Sequence, residues 1–154
     1  MSSLIYQSPF GPVSLKEENG ALICCGFGRD GAETADRAPV LYEAARQLDE
    51  YFAGKRRYFD LPLAPQGTAF QQKVWLALRQ IPYGTTVSYK DIAVAIGNPQ
   101  ACRAVGMANH NNPIGIIVPC HRVIGANGKL TGYAGGLDKK RLLLDLESRI
   151  LRGQ

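Results

Sequence analysis

The sequence lacks any long hydrophobic segment. No apolar run of about 18 residues, roughly the least that crosses a bilayer as a helix, occurs along the chain. The first residues, Met-Ser-Ser-Leu-Ile-Tyr-Gln, also lack the basic and then apolar segments of a secretory signal. We therefore expect a protein without a membrane partner that works in the cytoplasm, or in the nucleus if its cell has one.

The residues that most often bind metals or form disulfides are also scarce. The cysteines form no Cys-x-x-Cys pair, and their spacing from the histidines matches no recognised zinc motif. Disulfides are rare in cytoplasmic proteins, and a chain of this length can build a core without them. We expect neither a metal site nor a cofactor. The residues concerned are Cys24, Cys25, Cys102, Cys120, His110 and His121.

Charge is unevenly distributed along the chain. Residues 1–60 carry 7 Lys and Arg against 9 Asp and Glu, whereas residues 61–154 carry 11 against 4. The net charge therefore changes from −2 in the first part to +7 in the second. A basic half of this kind favours a polyanionic partner, although many soluble proteins have a basic half without one.

Residues 1–60 predict a small N-terminal α/β lobe. Short apolar segments flank Asn19-Gly20, a dipeptide typical of a two-residue hairpin turn, and they predict antiparallel strands. A helix is predicted over residues 39–52, where apolar residues recur at intervals of three and four. A connector that contains glycine and proline follows this helix.

Residues 61–154 predict a mainly helical C-terminal lobe, so that the whole chain has an α/β (α+β) fold. Thr68-x-x-Gln71 and Ser88-x-x-Asp91 are capping boxes that each precede an apolar helical pattern. A third helix is predicted to begin at Asn98-Pro99, and a last one after Asp138. The expected buried stripes are Ala101, Ala104, Val105 and Ala108 in the third helix, and Leu142, Leu143, Leu146 and Ile150 in the last.

The second and third of these helices have the outline of a helix-turn-helix. Short helical hairpins are common, so this outline alone leaves DNA binding open. The other face of the third helix has one cation, Arg103, and little bulk, whereas a solvated face more usually alternates Glu and Lys. Small side chains would let the helix backbone approach a surface closely. That face comprises Gln100, Arg103, Gly106, Met107 and His110.

Cys120 is the candidate nucleophile because His121 and Arg122 follow it directly. Positive or hydrogen-bonding neighbours lower the pKa of a thiol, so we expect a lowered pKa here. The other cysteines are interpreted as small buried hydrophobic residues. His121 would need an acceptor to orient it, and Glu147 is the candidate. The alternative, that Glu147 pairs with a surface lysine, is equally compatible with the spacing.

The segment Pro119-Cys120-His121-Arg122-Val123 resembles the active-site signature of the O6-alkylguanine-DNA alkyltransferases, which are methylated-DNA–protein-cysteine methyltransferases. The resemblance extends in order from about residue 68 to residue 147, and in the first lobe it is limited to length and the hairpin-then-helix pattern. The further matching segments are Val87-Ser88-Tyr89, Gly97-Asn98-Pro99, Arg103-Ala104-Val105-Gly106, Asn112-Pro113 and Gly132-Tyr133-x-Gly135-Gly136-Leu137.

The resemblance implies direct-reversal DNA repair by a single-turnover enzyme. The alkyl group of O6-methylguanine, and also of O4-methylthymine, would pass irreversibly from duplex DNA to Cys120. His121 would take the thiol proton through a water molecule, and Glu147 would hold the imidazole. Asn112 would be the hinge between the recognition helix and the active-site segment, and Tyr133 would donate a hydrogen bond to the leaving guanine.

The resemblance also implies how double-stranded DNA would be bound. Tyr89 would press on a phosphate so that the damaged nucleotide rotates out through the minor groove, and Arg103 would fill the space left behind. A helix lined with small side chains fits that narrow groove. The protein is expected to act as a monomer. The DNA-contacting residues would be Tyr89, Arg103, Ala104, Gly106 and Met107.

The implied substrate pocket departs from the family's pattern at two positions. Ala134 stands where many relatives have a serine that contacts the substrate oxygen, so the backbone must supply that contact or the pocket is less polar. Gly115 stands where some relatives have a proline, which leaves the range of accepted alkyl groups open. The pocket residues would be Gly115, Val123, Tyr133, Ala134 and Lys140.

Three other functions fit parts of the pattern. A non-transferring relative would bind alkylated DNA but would lack the cysteine. A cysteine hydrolase would use Cys120, His121 and Glu147 as a triad, would turn over many times and would not need Arg103. A transcription regulator would use the helix-turn-helix alone.

Overall fold

The computed structural model describes residues 1–153 and begins with a three-stranded antiparallel sheet in the order β1-β2-β3. The strands are β1 (Ser2–Ser8), β2 (Gly11–Glu18) and β3 (Ala21–Phe27). Asn19 and Gly20 join β2 to β3 with φ values of +53° and +83°. A type I′ turn requires positive φ at both of its central residues, so the predicted hairpin is confirmed.

One helix covers this sheet. It is α1 (Pro39–Phe52), with the bounds that the apolar pattern predicts. Its proline is at the start, where a missing N–H leaves no hydrogen bond unmade. Leu41, Leu48 and Tyr51 are fully buried, and the helix packs against all three strands. The first lobe is therefore a sheet whose covered face is closed by a single amphipathic helix.

The edge of β3 that does not pair with β2 joins this lobe to the rest of the chain. Leu22 N–H donates to the Pro62 carbonyl at 2.9 Å, and Ala64 N–H donates back to the Leu22 carbonyl at 2.8 Å. Further along the strand, Cys25 N–H donates to the Pro113 carbonyl at 2.9 Å, and Gly115 N–H donates to the Cys25 carbonyl at 2.7 Å. The β3 edge therefore holds both the connector and the segment before Cys120.

The second lobe is mainly helical, as predicted. Both capping boxes are present: Thr68 accepts from Gln71 N–H, Ser88 accepts from Asp91 N–H, and each partner side chain bonds back. A pair of two-residue parallel strands, too short to be predicted from periodicity, also lies here. The elements are α2 (Ala69–Leu78), β4 (Val87–Ser88), α3 (Tyr89–Ala95), α4 (Cys102–His110), a 3₁₀ turn (Cys120–Arg122), β5 (Val123–Ile124) and α5 (Leu137–Leu151).

Helix α4 differs from the prediction in its start and its buried face. It begins at Cys102, because Ala101 N–H closes a turn onto the Asn98 carbonyl at 3.0 Å. Ala104 is exposed, so its predicted place in the buried stripe is wrong. Val105 instead points into the core, and Ala104 lies about 100° further round the helix. Ala104 therefore belongs to the outer face of α4.

Helix α5 also differs slightly from the prediction. It begins at Leu137, after Gly136 with a φ of +98°, two residues before the predicted start after Asp138. Leu142 is 38% exposed, contrary to its predicted burial. The buried stripe includes Leu143 and Leu146, as predicted, and also the charged residues Lys140 and Glu147, which lie three residues before and four residues after Leu143. The buried face of α5 is therefore partly polar.

No helix within residues 1–153 is both long enough and apolar enough to cross a membrane. The mixed architecture agrees with the predicted fold class, and the division into lobes at residues 1–60 and 61–154 stays a prediction.

The burial pattern of α4 can be tested by stability measurements. Val105→Ala should lower the free energy of unfolding by about 2 kcal/mol, because methyl groups leave a fully buried position. Ala104→Ser, on the exposed face, should change it by less than about 0.5 kcal/mol. Urea unfolding, followed by the fluorescence of the single tryptophan, Trp75, would measure both. Equal losses would contradict the observed orientation of the helix.

Candidate active site

Cys120 opens the 3₁₀ turn and is buried, with 4% of its surface exposed. The segment that leads to it is folded around Asn112. The Asn112 side chain donates to the Val118 carbonyl at 2.9 Å and accepts from Ile114 N–H at 3.1 Å. Ile116, within this segment, has a φ of +70°, a conformation that a β-branched residue rarely adopts. Asn112 thus fixes a strained segment that positions the thiol.

The pKa of Cys120 is raised to about 11, so the expected lowering is wrong. Burial of the thiol is the largest cause, and the Asn112 amide and the Lys140 ammonium oppose it only in part. His121 and Arg122 do not supply the expected help because their side chains are bonded to Glu147. At neutral pH the group is therefore a thiol, which must lose its proton during any reaction as a nucleophile.

Glu147 on α5 is fully buried and lies at the centre of a hydrogen-bond cluster. His121 Nε2 lies 2.7 Å from its Oε2, and Arg122 spans both oxygens through Nε and Nη2 at 2.9 Å each. The hydroxyl of Tyr51 donates to Oε2 at 2.6 Å, and the backbone N–H of Gly84 donates to Oε1 at 3.2 Å. The alternative that pairs Glu147 with a surface lysine is therefore wrong.

The charges in this cluster follow from burial and from these contacts. Burial by itself would raise the pKa of the Glu147 carboxyl group, but the His121 and Arg122 donors hold it well below its usual range. Burial lowers the pKa of His121, so its ring is neutral at neutral pH. Arg122 then supplies the positive charge that balances Glu147.

A neutral His121 ring has one donor and one acceptor nitrogen. Because Glu147 is ionised, the hydrogen-bond network assigns the proton to Nε2. Nδ1 is then the acceptor, and this buried atom has no hydrogen-bond partner among residues 1–153. A buried, unpaired acceptor is costly and is usually satisfied by water or by a reacting group. His121 is therefore prepared to accept one proton.

The predicted pocket residues differ in how deeply they are buried. Tyr133 is 8% exposed, and its hydroxyl would lie 3.5 Å from a Cβ atom placed on Gly115. Burial, followed by the proximity of Cys120, raises the pKa of Tyr133 well above 10, so the phenol stays protonated. Val123 is fully buried in β5, whereas Ala134 is exposed. Tyr133 and Gly115 thus lie close together, whereas Ala134 is at the surface.

Lys140 connects two segments that carry predicted pocket residues. It is fully buried, and its ammonium group donates to the carbonyls of Val123 and Thr131 at 2.6 Å each. Burial lowers its pKa to about 8. The lysine thereby ties the start of β5 to the segment that carries Tyr133.

The predicted DNA-contacting residues form one continuous surface. Arg103, Ala104 and Met107 are exposed on α4, and within residues 1–153 no hydrogen bond or ion pair holds the Arg103 side chain. Tyr89 packs over Gly106, where an added Cβ would lie 3.9 Å from its ring. The Tyr89 hydroxyl lies 2.9 Å from Thr131 Oγ1. Tyr89 therefore lies between the outer face of α4 and the segment that carries Tyr133.

Two side chains of the Glu147 cluster, those of Arg122 and Tyr51, are not among the predicted site residues. The sequence marks Arg122 only as a positive neighbour of Cys120, and its bidentate geometry depends on α5 folding back over the 3₁₀ turn. Tyr51 follows Leu48 by three residues, so the spacing could have predicted its burial. No sequence signal connects Tyr51 to a carboxylate 96 residues away.

Two family models match most of the chain. The model described as the ribonuclease-like domain of 6-O-methylguanine DNA methyltransferase matches residues 3–65. The model described as the DNA binding domain of the same family matches residues 69–149 and so includes the whole Cys120 segment and Glu147.

Named relatives align over nearly the full chain. A constitutive methylated-DNA–protein-cysteine methyltransferase of Bacillus subtilis is 60% identical over 151 residues, which cover 92% of each chain. Its counterpart in Methanosarcina acetivorans is 55% identical over 149 residues, covering 93% of this chain and 96% of the relative. The crystal structure of Mycobacterium tuberculosis OGT in complex with DNA is 49% identical, has a TM-score of 0.87, and is matched over 95% of this chain and 92% of that one. The chain therefore belongs to the 6-O-methylguanine DNA methyltransferase family.

Proposed function

We propose that this protein repairs alkylated DNA by moving the alkyl group of O6-methylguanine onto Cys120 in one irreversible turnover. The observation that carries the proposal is the buried thiol next to a neutral His121, whose Nδ1 is unpaired and whose Nε2 is held by Glu147. This is an arrangement of nucleophile, base and orienting group. O4-methylthymine presents the same alkyl–oxygen bond and is proposed as a second substrate.

In the proposed reaction the Cys120 proton passes through a water molecule to Nδ1 of His121 as sulfur attacks the alkyl carbon. The new S–C bond forms, the bond between that carbon and O6 breaks, and its electron pair stays on the guanine. Glu147 stabilises the imidazolium that forms, and Tyr133 donates a hydrogen bond to the guanine as charge develops. The guanine then takes up one proton and the imidazolium releases one, so that His121 is neutral again and sulfur has exchanged a hydrogen for an alkyl group.

The outer face of α4 is proposed to bind the minor groove of duplex DNA. The alkylated oxygen lies inside the duplex, so the nucleotide must be rotated out before Cys120 can reach it. The exposed Arg103 is proposed to occupy the vacated position in the stack, and Tyr89 to press on the phosphate. Asn112 is proposed as the hinge, because it connects the end of α4 with the segment before Cys120. The protein would act as a monomer in the cytoplasm.

Single turnover predicts a fixed stoichiometry. Incubation with duplex DNA that contains O6-methylguanine should raise the mass of the protein by one CH₂ unit, saturating at one per molecule, because a thioether is not readily hydrolysed. Intact-protein and peptide mass spectrometry would measure the gain and assign it to Cys120. Cys120→Ser should gain nothing, whereas Cys24→Ser, in strand β3, should gain as much as the unchanged protein.

The same measurement separates the alternatives. Repeated turnover of the substrate without any gain in protein mass would identify a hydrolase. Tight binding of the alkylated duplex with neither turnover nor mass gain would identify a non-transferring protein. Either result would overturn the proposed function.

If Arg103 acts as a finger that fills the space left by the rotated nucleotide, its removal should slow alkyl transfer only from duplex DNA. Arg103→Ala should slow alkyl transfer from duplex DNA by about tenfold or more, since extrusion of a base costs a few kcal/mol without an inserted side chain. The rate with free O6-methylguanine base should stay nearly unchanged. Arg79→Ala removes the same charge from the exposed end of α2 and is the matched control. Equal losses on both substrates would exclude the finger role.

A further inference from the structure

Within residues 1–153, the hydroxyl group of Tyr51 makes the one hydrogen bond between the first lobe and the charged cluster around Glu147. It donates to Glu147 Oε2 at 2.6 Å, and both side chains are fully buried. The same oxygen lies 2.7 Å from His121 Nε2 and 2.9 Å from Arg122 Nη2. The proposed reaction does not use Tyr51, although it shares an acceptor atom with the proposed base.

We propose that Tyr51 is a positioning residue for alkyl transfer: from helix α1 it holds the Glu147 carboxylate in the orientation that presents His121 to Cys120. This inference rests on the proposed function and deepens it. It gives the first lobe a direct part in the chemistry, which otherwise lies within the second lobe.

The environment of the Tyr51 ring restricts where its hydroxyl can point. The ring packs edge-on against Phe52 and Tyr83, with centroids 5.2 and 6.2 Å away, and lies 5.5 Å from Phe59 at a tilt. Aromatic rings held on several sides have little rotational freedom. The hydroxyl is therefore directed at Glu147 by packing within and next to the first lobe. A donor fixed in this way in turn fixes its acceptor.

Three donors share the charge on Glu147 Oε2. A hydrogen bond between a donor and a buried carboxylate stabilises the ionised form and spreads its charge. Without the Tyr51 hydroxyl, more of the negative charge on Glu147 would act on His121. The pKa of the His121 ring would therefore rise. A protonated ring cannot accept the Cys120 proton, so activity would be lost earlier as the pH falls.

Other charged or titratable groups act on His121 or on its partner Glu147 and must be unchanged in the test. Arg122 and Lys140 act on His121 itself, and Lys140 also acts on Cys120. Tyr83, after α2, and Tyr133, before α5, are both affected by the charge of Glu147.

Tyr51→Phe removes only the hydroxyl and leaves the ring contacts in place. In single-turnover kinetics with alkylated duplex DNA, we expect the rate constant for transfer on the plateau of the pH profile to fall about tenfold. This loss corresponds to the energy of a typical hydrogen bond to a charged group. The acid limb of its pH profile should move upward by roughly half to one pH unit. The dissociation constant for DNA should not change, because Tyr51 is fully buried and is not part of the exposed face of α4.

Tyr6→Phe is the matched control. The Tyr6 hydroxyl donates to Asp49 of helix α1, also at 2.6 Å, but within residues 1–153 no hydrogen bond or ion pair joins this carboxylate to His121. The control therefore removes an equal tyrosine–carboxylate bond from the first lobe without touching Glu147. We expect its transfer rate and acid limb to match those of the unchanged protein, whatever stability it loses.

The outcomes distinguish the two proposals. If the unchanged protein gains no alkyl group on Cys120, the proposed function fails, independently of Tyr51. If it does transfer, a Tyr51→Phe protein that is folded and keeps both rate and acid limb would overturn the role of Tyr51. Parallel losses in the Tyr51 and Tyr6 variants would also overturn it, because they would indicate a general structural effect.

A second variant covers the case in which Tyr51→Phe does not fold. Site-specific replacement of Tyr51 by 3-fluorotyrosine keeps the hydroxyl, adds little volume and makes the phenol a stronger donor. The acid limb should then move to lower pH, opposite in direction to the phenylalanine variant. An unmoved acid limb would contradict the proposal.

Discussion

The carboxylate of Glu147 accepts hydrogen bonds from residues in three other parts of the chain, and it does so without contact with solvent. An ionised carboxylate in such a place would be strongly destabilising if it had too few donors. Its presence therefore requires helix α1, the turn after α2 and the 3₁₀ turn to be in position together. The orientation of His121 and the packing of the two lobes depend on this one requirement.

Buried ion pairs of this kind contribute little net stability, because removing two charges from water offsets most of their attraction. The Arg122–Glu147 pair is better explained by what it prevents. It supplies a permanent positive charge, so His121 can remain neutral while the carboxylate stays ionised. A neutral ring with a bare nitrogen can accept a proton, whereas an imidazolium cannot. The arginine thus leaves the histidine free for chemistry.

Local sequence signals predicted the elements well, and long-range contacts account for what they missed. Asn19-Gly20 and the capping boxes at Thr68 and Ser88 act through neighbouring backbone atoms, so the sequence alone contains their geometry. The exposure of Ala104 depends on how α4 is rotated about its axis against α2 and α3. The spacing of apolar residues does not fix this rotation to better than one residue. The sequence predicts a lowered pKa for Cys120 because it contains the charged neighbours of the thiol. It does not contain the burial that raises this pKa, which depends on the fold. The role of Tyr51 could not be predicted because its partner, Glu147, is distant in sequence.

The outer edge of β3 couples the first lobe to the backbone that carries the nucleophile. By exchanging backbone hydrogen bonds with the segment around Gly115, this strand makes the backbone before the nucleophile an extension of a sheet in the other lobe. We therefore expect amide groups on both sides of the boundary to open to solvent together, as one cooperative unit. Removal of the first lobe would expose unpaired backbone groups beside Cys120 as well as a hydrophobic face.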